Sequence, residues 1–74
     1  MSAYRISVVV EKDKDGYYAY CPDFRGCYTQ GETYEDVIAN IRDALKLHIE
    51  DRLESGEKVP DMELINVTSL EVTV

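Results

Sequence analysis

The stretch Pro22-Asp23-Phe24-Arg25-Gly26-Cys27-Tyr28-Thr29-Gln30-Gly31-Glu32-Thr33 runs without interruption into the helical pattern Tyr34 to Leu53. It contains a tight turn, a short strand and a helix start. Thr33 reads as the N-cap, because its hydroxyl can accept the backbone N–H three residues on while Asp36 reaches back, a capping box with Asp in the usual Glu position. Glu35 and Asp36 then place two carboxylates in the first turn, where the positive end of the helix dipole favours them. Gly26 and Gly31 bracket Cys27 to Gln30, which reads as a strand of about four residues between two breakers. Pro22 ends the preceding strand by removing a backbone donor, and Asp23 can bond its own backbone to shape the turn.

Upstream, Tyr4, Ile6, Val8 and Val10 alternate with Arg5, Ser7, Val9 and Glu11, the two-residue period of a first strand with one apolar face. Lys12-Asp13-Lys14-Asp15-Gly16 follows as a charged hairpin tip ending in Asp-Gly. Strand two is Tyr17 to Cys21. The smaller set, Ala19 and Cys21 with Tyr17, belongs under the helix; Tyr18 and Tyr20 take the other face, with Tyr28, Arg5 and Ser7.

Downstream, Val37, Ile38, Ile41, Ala44, Leu45, His48, Ile49 and Leu53 recur at steps of three and four and make one apolar stripe that packs on the sheet. Glu35, Asp43, Lys46, Glu50 and Glu54 form the opposite face, with Asp43, Lys46 and Glu50 at pairing spacing. Ser55-Gly56 is a helix stop and Lys58 to Asp61 a connector. Met62 to Val74 reads as a last strand whose two faces differ less, suited to lie between two surfaces or to pair with another chain. The predicted order is β-β-β-α-β, an α+β antiparallel meander with one helix on one face. A right-handed crossover brings the fourth strand parallel to strand one.

Seventy-four residues make one domain, residues 1–74, and a chain this small buries only about 60% of its unfolded surface, so self-association is expected. The net charge is -7. Glu32 to Glu57 carries eight acidic against three basic residues, so the excess acid sits mainly on the helix. That sign repels phosphate backbones and argues against direct nucleic-acid binding, while it suits a basic protein partner. The N-terminus has no apolar signal core and no run approaches a membrane span, so a cytoplasmic location is expected. In that reducing compartment Cys21 and Cys27 read as two buried thiols.

Catalysis needs a nucleophile beside a base, or groups whose surroundings push their pKa values apart. Neither is present. His48 falls on the apolar stripe and reads as a core or interface histidine, and as the only histidine it leaves a zinc site short of ligands. Gly16, Gly26 and Gly31 are too far apart to cradle a phosphate. A two-metal nuclease would need acids on strand one, the helix and strand four, yet strand one offers only Glu11, at its end, and strand four only Glu71. The expectation is a non-enzyme with no cofactor and no metal. The tyrosines point to protein contact, since Tyr joins a large apolar body to a polar tip.

Asp15-Gly16 before a tyrosine-rich strand, then Pro22-Asp23-Phe24-x-Gly26-Cys27-x-Thr29-x-Gly31-Glu32-Thr33-x-Glu35-Asp36 and the helix segment Asn40 to Leu45, resembles the N-terminal domain of HicB-like antitoxins. The likeness spans Tyr4 to Pro60. It implies a partly degraded ribonuclease H-like β-β-β-α-β fold, and a function in capping HicA toxins, small basic ribonucleases that cleave mRNA. Two departures stand out. Arg25 replaces a common proline, and the family's C-terminal DNA-binding segment has no counterpart within these residues, so operator binding is not carried over. The partner surface is expected at Tyr18, Tyr20, Tyr28, Asp43, Glu50 and Glu54, on a homo-oligomer, dimer or tetramer. Pro22, Asp23, Gly26, Cys27, Gly31 and Thr33 serve as the structural motif. The competing expectation is a self-associating structural or ligand-sensing module with no toxin partner.

Overall fold

Val9–Asp13 (β1) and Gly16–Tyr20 (β2) form an antiparallel hairpin with Val9 opposite Tyr20 and Asp13 opposite Gly16. The Asp13 carboxylate accepts the Asp15 backbone N–H at 2.8 Å, which closes the turn, and Gly16 takes a φ of 145° that a side chain would strain. The computed structural model describes residues 3–60 and 68–74.

The first strand differs from the sequence expectation. Tyr4, Ile6 and Val8 are partly buried against the core, but residues 4–8 lie outside the ladder, which begins at Val9 and runs into the charged tip. The tight turn fixes the register, so residues before Val9 would need partners beyond Tyr20. There Cys21 already gives its N–H to the Cys27 carbonyl at 3.0 Å, and Pro22 has none to give.

Tyr28–Gly31 (β3) pairs antiparallel with β2, Tyr20 opposite Tyr28 and Tyr17 opposite Gly31, giving the strand order β1-β2-β3. β3 starts one residue later than expected because Cys27 belongs to the preceding loop. That loop is held by the Phe24 N–H on the Cys21 carbonyl (3.1 Å) and the Cys27 N–H on the Phe24 carbonyl (3.3 Å), with Gly26 at φ 80°.

Tyr34–Glu54 (α1) is a helix of 21 residues, capped by the Thr33 hydroxyl, which accepts the Asp36 N–H at 3.0 Å. Its end is a Schellman arrangement: the Glu57 N–H reaches the Arg52 carbonyl (2.9 Å), the Gly56 N–H reaches the Leu53 carbonyl (3.2 Å), and Gly56 has φ 74°. α1 packs across β2 and β3. Ala19, Cys21, Phe24, Cys27, Val37, Ile41 and Val59 form the buried core, so the smaller residues of β2 lie under the helix as expected. Leu53 departs from the stripe and is half exposed.

The expected fourth strand falls partly on residues 61–67, outside the described residues; Thr68–Val74 are exposed and form no strand. Their alternating pattern is that of a strand, but a strand needs a ladder partner for its backbone groups, and the described strands supply none. Among the described residues the architecture shown is α+β in the order β-β-β-α; the expected parallel crossover and ribonuclease H-like closure depend on the stretch that lies partly outside them.

Candidate partner-binding site

The sheet has one face under α1, and no described strand or helix packs on the other, the free face. The ladder register puts Tyr18 between Glu11 and Gln30, and Tyr20 between Val9 and Tyr28, on the free face. Tyr18, Tyr20 and Tyr28 are 36%, 41% and 74% exposed, so three phenol rings form a patch with apolar bodies and polar tips. The Asp13 carboxylate beside Tyr18, then partial desolvation and Asp15, push the Tyr18 phenol above its ordinary value. It therefore stays protonated, able to donate a hydrogen bond, in an acidic setting.

Asp43, Glu50 and Glu54 are also exposed, but on α1, which covers the other face of the sheet. The structure thus brings the three tyrosines together and separates them from the three helix acids. The acids that do accompany the tyrosines, Glu11, Asp13 and Asp15, were missed as partner-binding candidates; the two-residue register that pairs Glu11 with Tyr18 is the signal that marks it.

The motif residues shape the scaffold beneath. Pro22, Asp23 and Gly26 build the loop that seats Phe24, and Thr33 caps α1. The Phe24 ring lies 6.0 Å from the His48 ring, edge to face, and 4.7 Å beneath the Arg52 guanidinium. His48 accordingly packs against the core. The Asn40 amide donates to the Gln30 carbonyl at 2.9 Å and ties α1 to the β3 edge.

Cys21 and Cys27 are free, buried, and in contact, the Cys27 thiol donating to the Cys21 sulfur at 3.5 Å. Burial first, and the Cys27 hydrogen bond second, push the Cys21 thiol up to about 12, so Cys21 keeps its proton at neutral pH. Among the described residues, no three His, Cys, Asp or Glu side chains are placed to hold a metal ion. No helix among them is long and apolar enough to cross a membrane.

A groove of about 920 Å³ opens between residues 3–8 and α1, floored by Ile6, Val8, Ile38, Leu45 and Ile49.

Comparison with known proteins places this arrangement. Residues 4–72 match the pattern of the family described as HicB_like antitoxin of bacterial toxin-antitoxin system. The UPF0150 protein ssr1765 of Synechocystis is 43% identical over 63 residues, covering 84% of this chain and 80% of the relative. A UPF0150 protein of Archaeoglobus fulgidus is 35% identical over 69 residues, covering 92% and 94%. Among solved structures, a chain of the HicA3 and HicB3 toxin-antitoxin complex superposes with a TM-score of 0.59 at 29% identity, over 80% of this chain and 72% of that one. The pattern match over nearly all of its length shows that this chain belongs to the HicB-like antitoxin family of bacterial toxin-antitoxin systems.

Proposed function

We propose that this chain is a non-enzymatic antitoxin that binds and neutralises a small basic, HicA-like, mRNA-cleaving toxin in the cytosol. The observation that carries the reading is its likeness to a chain solved within a toxin-antitoxin complex. The net charge of -7 supports it, since an acidic protein attracts a basic partner and speeds the encounter. The tyrosine face of the sheet is the docking surface: three exposed rings supply the aromatic anchors that dominate binding energy, ringed by Glu11 and Asp13. Asp43, Glu50 and Glu54, on the far side, steer at a distance rather than touch the same partner surface.

The test is to express the tagged chain at native level in its source cell and identify what co-purifies at low and high salt. A small basic protein, recovered at low salt and lost as salt rises, is the expected result. Recovery of more of the same chain and nothing else would overturn the toxin reading in favour of a self-associating module. Self-association is part of the proposal in either case, favoured by the apolar groove beside α1 and the exposed Leu70, Val72 and Val74.

A further inference from the structure

The register that sets Tyr20 opposite Tyr28 continues one step to Cys21 and Cys27, where the Cys21 N–H reaches the Cys27 carbonyl at 3.0 Å. Residues paired in this way hold their Cα atoms roughly 4.5–5.5 Å apart, inside the roughly 4.4–6.8 Å that a disulfide spans. Both cysteines are free and buried in the core under α1, with their sulfur atoms 3.5 Å apart. A disulfide bond is about 2.05 Å long, so about 1.5 Å remains to be closed, which rotation about the two Cα–Cβ bonds supplies. The backbone need not move. The intervening loop, residues 22–26, is already folded back by the Phe24 N–H on the Cys21 carbonyl and the Cys27 N–H on the Phe24 carbonyl. Neither sulfur belongs to the tyrosine face, which lies on the other side of the sheet.

We propose that Cys21 and Cys27 are a reversible redox modification site, closing to a disulfide within the folded chain when a low-molecular-weight disulfide becomes abundant and reopening when the corresponding thiol does. In the first step one cysteine thiolate attacks a sulfur of the small disulfide, whose S–S bond breaks and whose other half leaves as a thiolate that takes up a proton. In the second, the other cysteine, as its thiolate, attacks the protein sulfur of that mixed disulfide and releases the second small thiol. The protein gives up two electrons and two protons, and the small disulfide gains them. Access sets the pace. Cys21 and Cys27 are 3% and 2% exposed, so attack waits for the 22–26 loop to open, and opening also removes the burial that holds the Cys21 proton. Once closed, the cross-link ties the end of β2 to the start of β3 and restricts the unfolded chain, so the oxidised protein is the more stable form. The Tyr20 and Tyr28 rings stay where they are.

This inference is independent of both the toxin and self-association. The test incubates the folded full chain with oxidised glutathione at pH 8 for a day and reads the product by intact-mass and peptide-mapping mass spectrometry. The expected product is a single chain lighter by two hydrogen atoms, with the Cys21 and Cys27 peptides joined. A chain that keeps its mass, one that carries bound glutathione in place of the internal link, or a disulfide joining two chains overturns the proposal. Thermal unfolding supplies the second reading. Oxidation should raise Tm by about 10 °C, the scale expected for closing a short loop in a chain of this size. Dithiothreitol should return both mass and Tm to their starting values. A Tm that falls on oxidation shows that the fold does not accommodate the bond, and a rise that survives dithiothreitol, or that Cys27→Ala shares, traces the effect to something other than the cross-link; each of these overturns the proposal.

Discussion

A Cβ atom at Gly31 would stand 2.7 Å from the Val37 backbone nitrogen and 3.0 Å from the Val37 Cα. The end of β3 therefore meets the first turn of α1 with only a hydrogen between them. Neither side can yield cheaply: Gly31 is laddered to Tyr17, and the Val37 N–H is engaged by the Thr33 carbonyl at 3.0 Å. Gly31→Ala should cost about 1–3 kcal/mol, the usual range for forcing atoms into a packed site. Gly26 meets nothing within 4 Å and has φ 80°, so Gly26→Ala should cost about 1 kcal/mol through backbone conformation alone. Urea unfolding of both variants checks the order; a Gly31→Ala chain as stable as the parent would show that the strand and helix do not approach so closely.

Stability should fall at high pH through Cys21. Its folded thiol sits at about 12 against an ordinary 9.0, so above pH 9 the unfolded chain loses the proton first and is favoured. The contribution is whole below pH 9 and is lost progressively toward pH 12. Melting temperatures from pH 7 to 10.5 should decline, and Cys21→Ala should decline less over the same interval. Equal slopes for the two chains would remove Cys21 as the cause.

Tyr20 and Tyr28 face each other across the β2–β3 ladder. As a cross-strand pair they contribute roughly 0.2–1 kcal/mol to stability. As anchors of a partner surface, each should matter to binding by about 2 kcal/mol, some thirtyfold in affinity. Tyr28→Ala should thus weaken capture of a HicA-like toxin far more than it lowers the unfolding midpoint. Calorimetric titration alongside denaturation separates the two, and an unchanged affinity would move the docking surface off the sheet.

Glu50→Lys with Glu54→Lys tests the helix acids by rate. Steering from a side that makes no contact should slow association and flatten its salt dependence, with dissociation unchanged. Stopped-flow mixing at two salt concentrations reads both. A faster dissociation would place the toxin on α1 itself.

The helix was legible to within a residue, because Thr33, Glu35, Asp36 and the stripe from Val37 to Ile49 all speak locally. β1 was not. Tyr4 to Val10 alternate as cleanly as any strand, yet which residues enter the ladder is decided by the two-residue turn at Lys14-Asp15 and by where β2 stops. Phe24 was quoted as part of a motif, while its place in the core under Arg52 depends on a loop path that no periodicity encodes. The tyrosine face followed from alternation along β2, whereas the separation of Asp43, Glu50 and Glu54 from it is a matter of layers. For Thr68 to Val74 the pattern named a strand without naming the surface that would hold it.

The strand order β1-β2-β3 bears on how fast the chain reaches its fold. Each strand pairs with its neighbour in sequence, and α1 returns onto β3, the strand just before it. Little loop entropy is spent before these contacts form, which favours fast folding. Folding of the body is then a first-order event insensitive to dilution, while any step that joins two bodies is second-order. Concentration would set the pace of such a joining step and leave the folding of the body untouched.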